Sequence, residues 1–221
     1  MRKILLVVLL AFLVFPLAGC GKKDALRFKS EYESLNGDES ARSISIDKKN
    51  PFIYKDASEI VSMIKNKETF IVYFGFAKCP WCRSVLPNLI KAAKDNNIKK
   101  IYYVDILSIR DAYAVDSEGN PYRVVNADTS YYELLNLLDN VLEDYRVSMD
   151  GKDYNTGEKR IYAPNVVAIK DGVALSMTTG VSKLQTDSHM DLTDEINNDS
   201  YNKFVELFNE LNNNTCTKEG C

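Results

Sequence analysis

The sequence predicts an α/β domain, and three observations carry that prediction. Thr69 to Phe76 and Lys100 to Leu107 are nearly continuous apolar runs rich in β-favouring residues, the pattern of strands covered on both faces. Apolar residues before and between these runs recur at helical spacing, so strands alternate with helices. Asn165 to Lys170 and Val173 to Thr178 then flank Asp171-Gly172, a dipeptide suited to the positive φ angles of a two-residue hairpin turn.

In chain order, Gly21 to about Arg42 is polar, charged and nearly free of apolar periodicity, so residues 20–42 read as a polar tether with room for short helical order, and 43–221 as the domain. Ser43-Ile44-Ser45-Ile46 alternates like a short strand. Asp56 and Glu59 form a capping box for a helix with Ala57, Ile60, Val61 and Ile64 on one face. The helix after residue 79 buries Val85, Leu86, Leu89, Ile90 and Ala93. In the segment 108–160, Ser130 and Glu133 mark another capping box, and Leu134, Leu138, Val141 and Tyr145, with Leu135 and Leu142, predict a helix packed on the sheet. Asp111 to Asp128 and Ser148 to Lys159 read as long loops. Ordered loops of that length are uncommon unless functional, which makes them candidates for a substrate-facing rim, although a solvated excursion fits the same statistics. A helix from about Ser200 to Asn212 carries Tyr201, Phe204, Val205, Phe208 and Leu211 on one face.

The chemistry is concentrated at Cys79-Pro80-Trp81-Cys82, a C-x-x-C between a strand and a helix. A thiolate at a helix start sits beside unpaired backbone N–H groups and the positive end of the helix dipole, which lower a cysteine pKa from about 8.5 into the range of roughly 3.5 to 7.5. Pro80 suits the first helical position, where an N–H has no partner to lose. Cys79 is then expected to be the exposed thiol, with Cys82 one turn behind it and within bonding distance. Half a zinc knuckle or a structural disulfide would use the same spacing. Zinc would want a second pair of thiols or histidines at ligand spacing, and the single histidine, His189, lies far along the chain. No metal site is predicted.

Arg2-Lys3 and the apolar stretch Ile4 to Gly19 have the form of an export signal over residues 1–19. The run is short for a membrane-spanning helix and ends at Leu17-Ala18-Gly19-Cys20, which resembles the lipobox of bacterial lipoproteins. That resemblance implies cleavage before Cys20 and lipid attachment to its thiol; the alternative is an uncleaved anchor. Either way the body lies on the extracytoplasmic face of a membrane. Loss of Arg2 and Lys3 moves the formal charge from −3 to −5, so no basic surface argues for nucleic acid. Of the five cysteines, Cys20 is assigned to lipid and Cys79 pairs with Cys82, which leaves Cys216 and Cys221 to staple the tail as a structural disulfide.

With these motifs in this order, the chain resembles the thioredoxin superfamily over about Ile44 to Asn212. Pro87, five residues after Cys82, matches the family's helix-kinking proline; Ala163-Pro164-Asn165 falls where the family has its cis-proline, and Gly180 falls near its late glycine. With the lipobox, Asn50-Pro51-Phe52 and Tyr73-Phe74-Gly75-Phe76, it looks most like the membrane-anchored thioredoxin-like proteins of Gram-positive bacteria, including those labelled bacteriocin transport accessory proteins. The resemblance implies a thioredoxin fold: a central mixed sheet flanked by helices, with a helical insertion before the cis-proline hairpin.

It also implies thiol-disulfide exchange with exported cysteine-containing proteins and a membrane redox partner. No cofactor is implied beyond the redox-active Cys79–Cys82 disulfide. Cys79 would form the mixed disulfide and Cys82 would resolve it. Pro80, Trp81, Ala163 and Pro164 would form the substrate-binding surface, with the backbone of Ala163 free to pair with an extended segment. Lys78 would favour the thiolate electrostatically, or serve only as a solvated side chain. One departure is that reducing thioredoxins carry a buried aspartate six residues before the first motif cysteine, where this chain has Tyr73 and no carboxylate anywhere from Thr69 to Phe76. Two other readings are an accessory binding module on the same scaffold, serving secretion or envelope assembly, and a metal-handling protein using both thiols with His189.

Overall fold

The computed structural model describes residues 20–213; the signal segment 1–19 and the tail cysteines Cys216 and Cys221 lie outside the described residues. In chain order the elements are α1 (Cys20–Glu33), β1 (Phe52–Tyr54), α2 (Ala57–Lys65), β2 (Phe70–Gly75), α3 (Pro80–Asp95), β3 (Ile101–Asp105), β4 (Ala112–Val115), β5 (Pro121–Val125), α4 (Thr129–Leu137), β6 (Glu143–Met149), β7 (Lys152–Arg160), β8 (Asn165–Lys170), β9 (Val173–Thr178) and α5 (Asp194–Asn213).

The apolar run of β2 is buried at every position and forms the middle of a five-stranded sheet in the order β1-β3-β2-β8-β9. β1, β3 and β2 are parallel, whereas β8 runs antiparallel to β2 and β9 antiparallel to β8. This is the α/β architecture that the sequence predicts, with the mixed central sheet flanked by helices that the resemblance implies. One apolar layer joins α1, α3 and α5 to the sheet through Phe28, Leu86, Leu89, Tyr73, Phe204 and Phe208. The other layer joins α2 and α4 through Ile60, Ile64, Phe74, Leu134 and Val167. Local chemistry agrees with the sequence at α2, where Asp56 and Glu59 complete their capping box, and at the β8–β9 turn, where Asp171 and Gly172 have φ of 51° and 77°. Among the described residues no helix is long and apolar enough to cross a membrane.

Residues 20–42 are not a tether. They open with a helix of 14 residues whose Ala25, Phe28 and Tyr32 are buried, so the folded unit begins before residue 43. The apolar stripe is only one residue wide per turn, which is why the segment looks polar as sequence. The Phe28 ring stacks on Phe52 at 4.0 Å and on Tyr32 at 4.5 Å and meets the edge of Tyr103 at 4.9 Å. Ile44 and Ile46 alternate in burial as a strand would, but their backbone pairs with side chains. Ile44 exchanges two hydrogen bonds with the Asn36 amide, and the Ile46 N–H donates to Glu33.

The segment 108–160 is mostly β-structure, not a helical insertion. Its two expected loops are antiparallel hairpins, β4–β5 and β6–β7. The expected long helix stops at Leu137, gives way to a single tight turn at Asp139–Val141, and becomes β6. Tyr145 is buried as a strand residue, edge-on to Tyr113 at 5.4 Å and under the Arg160 guanidinium at 3.9 Å. The proposed Ser130–Glu133 capping box is absent: Asp128 precedes α4 with no side-chain cap, and Glu133 pairs with Lys65 at 3.0 Å. The last helix starts at Asp194, ahead of the expected Ser200.

Because the Phe28 ring is fully buried among four aromatics, Phe28→Ala is expected to lower unfolding stability by about 3–5 kcal/mol. Chemical denaturation checks this, and a midpoint equal to that of the parent chain would contradict the integration of α1.

Candidate active site

β2 delivers the motif from the centre of the sheet, and α3 begins immediately after Cys79 with Pro80 in its first turn. Cys79 caps the helix with its own sulfur: Sγ accepts the Cys82 backbone N–H at 3.3 Å. Pro87 lies inside α3 as the family resemblance implies. The Ala163–Pro164 peptide is cis, and the Ala163 carbonyl accepts a hydrogen bond from Cys79 Sγ at 3.2 Å. That carbonyl is thus occupied by the thiol rather than free. Pro164 is buried, while Pro80, Trp81 and Ala163 are half-buried around the thiol. Trp81 also packs on the α1–α3–α5 layer, so it combines a core face with an exposed one.

The two sulfurs are free thiols with opposite environments. The hydrogen bond with Cys82 holds the Cys79 thiol below its usual value; the Cys82 and Trp81 N–H groups and the positive charge of Arg110 act in the same direction, and burial opposes them. Burial pushes the Cys82 thiol well up, and its contact with Cys79 adds to that. Cys79 is less exposed than its position at a helix start suggested, at 4 %, and Cys82 is fully enclosed. The pair therefore consists of an ionisable thiol at the rim and a reluctant one behind it, which suits attack by the first and delayed attack by the second.

Two residues of this site, Arg110 and Arg83, have no role in the sequence reading, and a third, Tyr73, enters it only as the departure from the family's aspartate. Arg110, half-buried with its guanidinium 4.9 Å from the Phe76 ring, supplies the cation near Cys79; Lys78 is exposed. Arg83, next to Cys82, is fully buried, and among the described residues no carboxylate lies within salt-bridge distance of it. Its guanidinium donates to the carbonyls of Arg42 (2.6 Å), Tyr32 (2.8 Å) and Ala77 (3.2 Å) and to Asn36 Oδ1 (2.9 Å). Tyr73 is fully buried, and its hydroxyl faces both Tyr32, at 3.1 Å, and the Cys82 thiol. An arginine or tyrosine in an otherwise apolar pattern was the available signal for the last two, whereas nothing local distinguishes Arg110.

Cys20 is the first residue of α1, and the proposed Cys216–Cys221 pair lies outside the described residues. His189 bonds Ser188 at 3.0 Å and the Ser40 carbonyl at 3.2 Å, and the structure does not bring it to the thiols. No family model, curated protein or solved structure matches this chain.

Removing a nearby cation makes a thiolate costlier, so Arg110→Ala is expected to move the pH midpoint of Cys79 alkylation upward. Iodoacetamide labelling followed by mass spectrometry across pH checks this; a midpoint that stays put or falls would contradict the role of Arg110.

Proposed function

We propose that this protein is a thiol-disulfide oxidoreductase of thioredoxin-like fold, lipid-anchored on the extracytoplasmic side of a bacterial membrane and acting on exported cysteine-containing proteins. The observation that carries the reading is the asymmetry of the two thiols: the Cys79 pKa is lowered at a helix start, and the Cys82 pKa is raised in the core. The sheet order and the cis Ala163–Pro164 bond beside Cys79 are compatible with such a fold. In the reducing direction, Cys79 thiolate attacks a substrate disulfide and one substrate sulfur departs as thiolate. Cys82 then attacks Cys79 Sγ, closes the Cys79–Cys82 disulfide and releases the second substrate sulfur. The oxidising direction is the reverse. The Cys79–Cys82 pair is the redox group, and a membrane partner restores its starting state.

The anchoring proposal rests on the export signal and Cys20. α1 begins at Cys20 and is held in the core by Phe28, eight residues later, which is about 12 Å of helix. A lipid on Cys20 would therefore hold the domain against the bilayer rather than on a long leash. The low exposure of Cys79 favours a second reading, an accessory binding module with an inert pair.

Replacing each cysteine in turn separates the two. Cys79→Ser is expected to abolish reduction of a test disulfide protein, and Cys82→Ser to accumulate mixed disulfides on Cys79 that mass spectrometry detects. Full turnover in either variant would defeat the oxidoreductase reading, and no adduct on Cys82→Ser would favour the binding module.

A further inference from the structure

A half-buried guanidinium is ordinarily paired, because it cannot shed its charge and presents five N–H donors in a planar fork. Arg110 is half-buried, and among the described residues no carboxylate lies within salt-bridge distance of it and no side chain or carbonyl accepts its N–H groups. What holds it is the Phe76 ring, 4.9 Å away. A ring face attracts the charge but does not fill the fork. Its sequence neighbour Asp111 is taken elsewhere: Oδ1 accepts from Arg160 at 2.8 Å, and Oδ2 lies 3.8 Å from Arg123 Nε. Glu158 is engaged by the same Arg123 at 3.3 Å. Arg123 and Arg160 thus take up the nearby carboxylates, and Arg110 is the cation left over.

Two sets of contacts place that cation at the thiol. On one side, the ring it covers belongs to Phe76, whose carbonyl accepts the Cys79 N–H at 3.1 Å. On the other, Arg160 donates to the Asp111 carbonyl at 3.0 Å, and three residues further on the Ala163 carbonyl accepts from Cys79 Sγ at 3.2 Å. Phe76 and Ala163 both pack where the two apolar layers meet. The pull of the Arg110 charge on the Cys79 thiol agrees with this placement. In the reduced protein the anion facing Arg110 is therefore the Cys79 thiolate. Once Cys79 is joined to a substrate sulfur it is uncharged, and the guanidinium has no counterion unless the substrate brings one. Lys78 is also close to the thiol in sequence, but it is exposed, and an ammonium is a hydrated point charge without a fork.

We propose that Arg110 binds a substrate carboxylate beside the reacting sulfur, so that the preferred substrates are disulfides of exported proteins with an aspartate or glutamate next to the cysteine. This rests on the oxidoreductase reading and supplies a substrate class for it. The carboxylate accepts two parallel N–H bonds from the guanidinium fork, a geometry that fixes orientation as well as affinity. Cys79 thiolate then attacks the substrate disulfide. The substrate S–S bond breaks, the bond from Cys79 to one substrate sulfur forms, and the other sulfur leaves with the electron pair and takes a proton from water. Cys79 is oxidised and the leaving sulfur reduced. Arg110 touches the substrate through its carboxylate and keeps that contact in the mixed disulfide, where its own thiolate counterion is gone. The half-buried position shields the pair from salt better than an exposed one would.

The test is the reaction of the reduced, detergent-solubilised full chain, carrying Cys20→Ser, Cys216→Ser and Cys221→Ser, with capped peptides whose single cysteine is held as a pyridyl disulfide. The residue before that cysteine is glutamate, glutamine or lysine. Attack by Cys79 on the peptide sulfur releases thiopyridone, which absorbance follows. The ratio of rate constants for the glutamate and glutamine peptides, taken at one pH on one protein, cancels the thiolate fraction and nucleophilicity of Cys79. The parent chain is expected to favour the glutamate peptide about tenfold, the low end of what a hydrogen bond to a charged group contributes, and to react most slowly with the lysine peptide. Arg110→Ala is expected to erase the preference and Lys78→Ala to keep it. Arg110→Lys retains the charge without the fork and is expected to fall between them. Equal rates for the glutamate and glutamine peptides in the parent, or an unchanged preference in Arg110→Ala, would overturn carboxylate recognition and leave exchange standing. An equal loss in Lys78→Ala would overturn it too, by marking a diffuse field instead of a contact. No thiopyridone from any peptide with the parent chain would overturn both.

Discussion

Arg83 is a permanent cation with no exposure and, among the described residues, no carboxylate within salt-bridge distance, and the region around the motif is organised by its need for acceptors. A guanidinium cannot be neutralised at accessible pH, and a buried charge left unpaired costs several kcal/mol. Here carbonyl dipoles meet the charge. One belongs to Tyr32 in the last turn of α1, where carbonyls lack helical partners and the helix dipole is negative. Others come from Arg42, Ala77 and the Asn36 side chain. Satisfying Arg83 therefore fixes the end of α1, the connection after it and the start of α3 relative to one another. Tyr32 is held over β2 by the same contact that serves the residue next to Cys82.

The segment 108–160 acts on the opposite side of the thiols. Asp111 is buried against Arg160, which donates to its carboxylate at 2.8 Å and to its carbonyl at 3.0 Å. Breaking such a pair by removing one partner typically costs about 3–5 kcal/mol, because the other charge is left uncompensated. The pair ties the end of β7 to the residue before β4, directly beside Arg110. The two hairpins thus have a structural consequence for the chemistry: they hold a cation where it lowers the pKa of Cys79. Cys82, enclosed behind Cys79, is held in its protonated form by burial and by that contact.

What could be read from the sequence divides along physical lines. β2, β3, the β8–β9 hairpin, α2 and α3 were legible because strong apolar periodicity coincided with caps and turn residues. The motif and the prolines around it were legible because they are local. The packing of α1 into the core is not legible because Phe28 and Tyr32 are separate anchors in a charged background, and their burial depends on partners far along the chain. The β6–β7 turn carried a visible signal, since Asp150-Gly151 has the same dipeptide and the same positive φ values as Asp171-Gly172. It was overlooked because the flanking strands are largely exposed and polar, and so lack the alternation that marked β8 and β9. Tyr73 was noticed only as a missing carboxylate. Its alignment with Tyr103 and Tyr54 is a property of register between strands, which no window along one strand contains.

The central claim is that Cys79 and Cys82 form a reversible redox couple, and the most direct measurement is its equilibrium with glutathione. The full chain carrying Cys20→Ser, Cys216→Ser and Cys221→Ser would be incubated across ratios of reduced to oxidised glutathione, acid-quenched and thiol-trapped. A reversible couple gives a single two-electron transition with a potential between about −270 and −120 mV, the span of dithiol oxidoreductases. Thiols that stay in one state at every ratio would contradict it, and would leave the scaffold with a binding role instead.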